Sequence, residues 1–468
     1  MHYVSTRGEA PELGFEDALL AGLARDGGLY MPKTWPRLSP AVMAGLAGKP
    51  YAELATSVMQ PFVGDALPRS DLLAMARDSY ARFGHPAVTP LVQIDANLWV
   101  LELFHGPTLA FKDVAMQLLA RLMDRVLGQR GERATIVGAT SGDTGGAAIE
   151  AFRGSKRIDV IILFPRGRVS DVQRRMMTTA TEANVHAVEI DGTFDDCQAL
   201  VKAMFNDLGF RDRVRLAGVN SINWARVLAQ IGYYFAAATA LGAPHRPVSF
   251  TVPTGNFGDI LAGYAARRMG LPIEQLTIAT NDNDILVRTH ASGIYEVRGV
   301  KATTSPSMDI QVSSNFERYL FEACGRDAAW IRARMGSLAQ SGRFEMGAAL
   351  EPMREELAAT SASEAEVADC IRRTRQRSGY LLDPHTACAV VAAEKAGSGA
   401  APNIVLATAH PAKFPDALQA ITGERPVLPP RLASLMRDPE RITSLPNDLA
   451  AVARFVAGLA AQKHGAAA

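Results

Sequence analysis

Four cysteines in 468 residues, Cys197, Cys324, Cys370 and Cys388, are scattered without CxxC or metal-ligand spacing. No disulfide framework or zinc site is expected, and reduced structural thiols are the default. Charge of one sign is equally scarce. Lys and Arg number 49 against 48 Asp and Glu, a net charge of +1. There is no global basic field for nucleic acid or an anionic membrane, so any anionic ligand must be gripped by a local site. Long apolar runs are missing too. Residues 227–244 are uncharged over a helix length but contain Gln230, Gly232, Tyr233 and Tyr234, which reads as a buried core helix and not a membrane span. No signal-peptide pattern opens the chain, and a cytoplasmic location is expected.

What is present is ordinary globular composition, 48% hydrophobic and 21% charged, with length for two or three domains. The first 90 or so residues read as mostly helical, over 15–24, 40–46, 51–58 and 70–82, with Gly27 and Gly28 ending the first of these. From residue 98 the rhythm changes to strand, Gly-rich loop, helix. Strands are expected at 98–103, 134–137, 159–164, 185–190, 248–252, 276–279 and 404–407, with helices at 172–181 and 194–206 among them. Such alternation implies parallel sheets covered on both faces, with ligands at the carboxyl ends of the strands. Residues 325–376 read as charged amphipathic helices of a peripheral lobe, and residues 465–468 as a frayed tail.

Three loops and one lysine carry chemistry. Lys112 follows the apolar run LWVLEL and the turn-forming HGPT, and opens a helix whose Ala115, Leu118, Leu119, Leu122 and Val126 share a face. The helix dipole disfavours a cation there. A buried lysine at that place has the lowered amine pKa that a Schiff-base lysine needs, whereas an ordinary lysine would be solvated at the surface. In PTGNFGD (253–259), Gly255 and Gly258 let the backbone approach a ligand, and several N–H groups can face one phosphate. The loop is not GxGxxG, has no acidic residue at ribose distance and no Walker lysine, so the phosphate belongs to something smaller than a nucleotide. TSGDTGG (140–146) is a second anion cradle or, alternatively, a tight turn with Ser141 or Asp143 as N-cap. ATAHPAKFP (407–415) supplies the hydroxyl of Thr408 at a strand end and Lys413, which is either a second cation or surface decoration.

A lysine at a strand–helix junction, a glycine phosphate loop and a Ser/Thr anion loop together make a site for pyridoxal 5'-phosphate. The motifs HGPTLAFKD, TSGDTGGAA, NSINWARVLAQ, PTGNFGD, SPSMDIQVSSNFERYLF, LDPHTA and ATAHPAKFP, in this order, closely resemble threonine synthases of the long bacterial and fungal type. The opening 30 or so residues are similar to the N-terminal domain of that family. The resemblance implies the α/β fold of the tryptophan-synthase β-subunit (fold type II), with parallel sheets in two lobes plus a mostly helical N-terminal domain. It implies residues 1–90 as the N-terminal domain, 91–130 and 220–468 as the large cofactor-binding domain, and 131–219 as a small inserted domain.

It further implies Lys112 as the catalytic Schiff-base lysine. Gly255, Asn256, Phe257 and Gly258, with Asp259, match the loop holding the cofactor phosphate, and Thr408 the hydroxyl facing the pyridine nitrogen. Ser141, Gly142, Asp143 and Thr144 match the loop receiving the substrate carboxylate. Relatives of this fold commonly carry Asn at the place of Asp143, so a shared proton or an outward-turned side chain is expected there. The implied reaction is O-phospho-L-homoserine plus water giving L-threonine and phosphate, with no metal. Arg226, Lys301, Arg318 and Lys413 are candidates for the cation that receives the leaving phosphate. A monomer or homodimer is expected. The rivals are a threonine-synthase-like phospho-lyase or serine/threonine dehydratase, a non-catalytic phosphate-ligand binding protein and, against the missing fingerprint, a nicotinamide-dependent dehydrogenase.

Overall fold

The computed structural model describes residues 1–397 and 399–464; the tail 465–468 lies outside them. The N-terminal segment carries the expected helices at Phe15–Ala21, Pro40–Ala44, Tyr51–Val63 and Arg69–Tyr80. It also contains a three-stranded antiparallel sheet, with His2–Ser5 between Leu13–Gly14 and Tyr30–Pro32, which the helical reading missed. Strands this short leave no periodic run. Their pairing is fixed by long-range anchors, such as the Tyr3 hydroxyl donating to the Phe62 carbonyl at 2.8 Å.

Two larger sheets follow. One has six strands in the order Leu357–Ser361, Ile273–Thr280, Val248–Pro253, Asn403–Ala407, Leu98–Glu102, Leu91–Asp95, parallel except for the last pair. The other is parallel throughout, ordered Thr443–Leu445, Val185–Ile190, Ile158–Pro165, Ala134–Ala139, Leu216–Ala217. The central strands are buried on both faces and read as continuous apolar runs, which is why the sequence located them. The sequence left Leu357–Ser361 inside the peripheral helical lobe. It is a sheet edge with one buried residue in five, so it lacks that apolar signature.

Thr443–Leu445 extends the small sheet, and Val452, Val456 and Ala460 of the helix Leu449–His464 fill a core with Val137, Ile161, Leu163 and Val188. Burial of that apolar face carries the tail across from the large sheet to the small one. The uncharged stretch forms the helix Trp224–Ala240, buried nearly throughout. No helix among the described residues is long and apolar enough to cross a membrane.

Loops at the carboxyl ends of both large sheets meet one another. Strand Leu98–Glu102 leads to Lys112, Val248–Pro253 to the glycine loop, Asn403–Ala407 to Thr408, and Ala134–Ala139 to residues 140–144.

Candidate active site

Lys112 is the first residue of the helix Lys112–Arg130. The segment before it is pinned on every side. Asp113 accepts from the Thr108 N–H (2.8 Å) and Thr108 hydroxyl (2.7 Å), and Gly106 packs so closely on Asp113 that a Cβ there would fall 2.3 Å from the Asp113 Cβ. The loop after Asn403–Ala407 runs antiparallel along it: Phe111 N–H donates to the Thr408 carbonyl (2.9 Å) and His410 N–H to the Leu109 carbonyl (3.0 Å). Thr408, buried, is thereby brought next to the residue preceding Lys112. Burial lowers the Lys112 amine to about 8; Arg226 and Lys413 push the same way, while Asp143 and Asp113 oppose.

The Ser/Thr loop meets this cluster from the small sheet. Gly142 caps the helix Asp143–Phe152 at φ 144°, and the Gln173 side chain occupies the space a Cβ would need. Neither Ser141 nor Asp143 is the N-cap. Thr140 organises the turn, its hydroxyl accepting from the N–H groups of Gly142 and Gly145, both at 2.9 Å. Ser141 and Thr144 are half-buried, and Asp143 is buried.

Asp143 is not turned outward. Its Oδ1 lies 2.6 Å from Lys413 Nζ and accepts from Gln173 Nε2 at 2.8 Å, and its Oδ2 accepts from the Ser307 hydroxyl at 3.2 Å. Lys112 Nζ is 3.9 Å from Oδ2. Burial works against the charge, but the two lysines and the Gln173 donor hold the carboxyl far below the usual range. Lys413 is fully buried, so surface decoration is excluded.

In the glycine loop, Phe257 adopts a left-handed backbone (φ 64°) ahead of the helix Gly258–Arg268 and drives its ring against Phe316 and Tyr319. Gly255 and Asn256 accept through their carbonyls from the Ser313 hydroxyl (2.5 Å) and the Asn315 N–H (3.0 Å), and the Asn256 side-chain oxygen accepts from Ser314 (3.2 Å). The N–H groups of Gly255, Asn256 and Phe257 have no protein acceptor among the described residues. Beside them, a Cβ on Gly258 would lie 3.3 Å from Asn315 Nδ2, a buried donor that also lacks a partner. This array of unmatched donors at a helix N-terminus fits a phosphate group. Lys112 is the amine such a cofactor requires, and the donor set therefore fits pyridoxal phosphate.

The Asp259 carboxyl points away from that cradle, accepting from the hydroxyls of Tyr233 and Tyr234. Burial pushes it up to about 7. A carboxyl raised in the folded state stabilises the fold fully below its unfolded value and loses that contribution as pH rises towards 7. Asp259→Asn is therefore expected to flatten the fall in melting temperature of the apoprotein between about pH 4 and about pH 7, a slope worth a few kcal/mol at most; an unchanged slope would refute it.

The four candidate cations separate clearly. Lys301 is exposed and paired with Asp282. Arg318, fully buried, donates to the carbonyls of Tyr30 (3.1 Å), Ser221 (3.4 Å) and Ile222 (2.5 Å) and to Asn315 Oδ1, clamping the N-terminal sheet to the large domain. Lys413 is engaged by Asp143. Arg226 and Arg318 are both buried without a carboxylate ion pair, but carbonyls satisfy Arg318, whereas Arg226 Nη1 reaches the Val219 carbonyl at 3.4 Å and its Nε has no partner among the described residues.

Sequence reasoning did not single out Gln173, Ser307, Asp383 or His385. The His385 Nε2 accepts from the Ser307 N–H at 3.2 Å, which leaves the proton on Nδ1, 2.9 Å from Asp383 Oδ1. This braces the Ser307 turn against the helix Pro384–Ala396. The Asp-Pro pair that caps that helix is a legible signal for its start; the contact to Ser307 is not.

Comparison with known proteins agrees with this geometry. Residues 2–80 match the threonine synthase N-terminus family, 83–408 the pyridoxal-phosphate dependent enzyme family, and 386–456 the threonine synthase C-terminal family. A threonine synthase of Pseudomonas aeruginosa is 52% identical, covering 97% of this chain and 98% of its own. The crystal structure of PLP-bound threonine synthase from Brucella melitensis superposes with a TM-score of 0.95 at 62% identity, covering 98% of this chain and 99% of its own. Threonine synthase from yeast gives 0.92 at 38% identity, with 99% of each chain covered. By sequence, fold and site chemistry, the chain belongs to the threonine synthase family of pyridoxal-phosphate-dependent enzymes.

Proposed function

We propose that the protein converts O-phospho-L-homoserine and water to L-threonine and phosphate, with pyridoxal phosphate bound through Lys112 and by the glycine loop. The observation that carries this is the convergence of a largely enclosed amine of lowered basicity, an unmatched N–H cradle and a buried guanidinium without a carboxylate ion pair. The cofactor, when bound, supplies the electron sink that makes the substrate's α-proton acidic.

The chain's own residues do the rest. Lys112, neutral for an appreciable fraction of the time near pH 8, accepts the α-proton. Thr408 offers the ring nitrogen a neutral hydroxyl in place of a carboxylate. The hydroxyls and N–H groups of residues 141–144 receive the substrate carboxylate at the start of their helix. Arg226 receives the phosphate as the Cγ–O bond breaks, giving the departing dianion a charge-assisted partner. Water then supplies the oxygen of the new Cβ–O bond.

We assign the catalytic division to a large lobe of 91–130 and 220–442 facing a small lobe of 131–219 and 443–464, with 1–90 packed on the large lobe. The reduced thiols and phosphorylated substrate accord with a cytoplasmic location.

Two experiments bear on this. Incubation with O-phospho-L-homoserine should yield threonine and phosphate in equal amounts; phosphate with a 2-oxo acid and ammonia would make the protein a phospho-lyase. Gly255→Ala would place a Cβ 3.0 Å from both the Ser307 carbonyl oxygen and Ile310 Cδ1. It is expected to weaken pyridoxal phosphate binding roughly tenfold, a loss of about 1.4 kcal/mol, with the fold retained. Titration of the apoprotein measures this, and wild-type affinity would remove the loop from the cofactor site.

A further inference from the structure

A charged amine sealed in a protein interior needs a partner, and Lys413 has two from opposite sides of the cleft. Its Nζ donates to the Thr108 carbonyl (2.9 Å), in the turn before Lys112, and pairs with Asp143 Oδ1 (2.6 Å), at the helix start on the small sheet. Asp143 thus stands between two lysines, and its closer contact is Lys413, not Lys112. Ser307 occupies the oxygen that faces Lys112.

In a water-poor site, whichever amine takes the carboxylate is held in its charged form. The other is left beside a cation and sheds its proton more readily. The charged groups around Lys112 are Asp143 on the helix Asp143–Phe152, Arg226 on Trp224–Ala240, Lys413 on the loop after Asn403–Ala407, and Asp113 on its own helix. Asp113 is already tied to Thr108. Asp143 is therefore the carboxylate whose allegiance decides the state of Lys112.

We propose that Lys413 is a positioning residue for Lys112: by holding Asp143 in an ion pair that bridges the two sheets, it keeps that carboxylate from capturing the Lys112 ammonium. The inference rests on the role proposed above for Lys112.

The test reads the reaction of apoprotein with pyridoxal phosphate as a function of pH, without substrate, by visible absorbance. In that reaction the neutral Lys112 nitrogen adds to the cofactor aldehyde, one water leaves, and the rate rises with the fraction of free amine. The wild-type midpoint is expected near pH 8. Lys413→Met should move it upward by about one to two pH units, because Asp143 then pairs with Lys112. The same substitution in an Asp143→Asn background should move it less than half as far, since no carboxylate remains to hand over. Lys413→Arg should restore the wild-type midpoint. An equal shift in both backgrounds would make Lys413 an independent charge and overturn the proposal, as would an unmoved midpoint with lowered melting temperature. Should Lys413→Met fail to fold, Lys413→Gln, which keeps a donor near the Thr108 carbonyl but removes the charge on Asp143, reads the same midpoint; an upward shift supports the proposal and an unmoved midpoint overturns it. Because no substrate is present, absence of threonine synthesis would defeat the functional reading without touching these midpoints.

Discussion

Lys112→Ala is expected to abolish threonine formation, by roughly 10³-fold or more, and to leave the cofactor unattached. Both losses follow from one amine. It holds the cofactor, and once released it takes the α-proton, so no neighbouring group can replace it in both tasks. The other amine in the cluster, Lys413, is engaged by Asp143 and directed at the Thr108 carbonyl. The fold should survive, because burial of Lys112 among Arg226 and Lys413 already works against its charge. The apoprotein melting temperature is therefore expected to stay level or rise. Retained turnover in Lys112→Ala would break the account at its base.

The second large effect is expected at Arg226. Its guanidinium is buried, has no carboxylate partner, leaves Nε unmatched, and is pushed down to about 10 by burial. A cation in that state is destabilising unless a ligand completes it. Arg226→Met is thus expected to act in two directions at once. Affinity for O-phospho-L-homoserine falls roughly 10- to 100-fold, the value of a charge-assisted phosphate contact of about 1.5–3 kcal/mol. The unliganded protein meanwhile melts no lower than wild type. Steady-state kinetics and thermal melting of the same preparation check both. A variant with wild-type substrate saturation would hand the phosphate to another group, and one that merely unfolds would make Arg226 structural.

The separate readings of Lys112, Thr408 and the glycine loop were legible because each follows a strand with a strong apolar run, where topology dictates that a loop faces ligand. What the sequence could not supply was the partner of each charge. Lys413 and Asp143 are 270 residues apart and pair across two sheets. Arg318 and Arg226 look alike in sequence, yet carbonyls of residues 30, 221 and 222 satisfy the first, while the second reaches the Val219 carbonyl and leaves its Nε unmatched. Gln173 and Ser307 gain their roles by contact with Asp143, which no local pattern encodes. Short edges were lost for a related reason: His2–Ser5 and Leu357–Ser361 are strands by pairing and not by composition.

The most direct test of the central claim is turnover of O-phospho-L-homoserine in oxygen-labelled water. Cleavage at Cγ–O followed by hydration at Cβ predicts label in the threonine hydroxyl and none in the released phosphate. Label in the phosphate, with homoserine as the other product, would mean attack at phosphorus and would contradict the account.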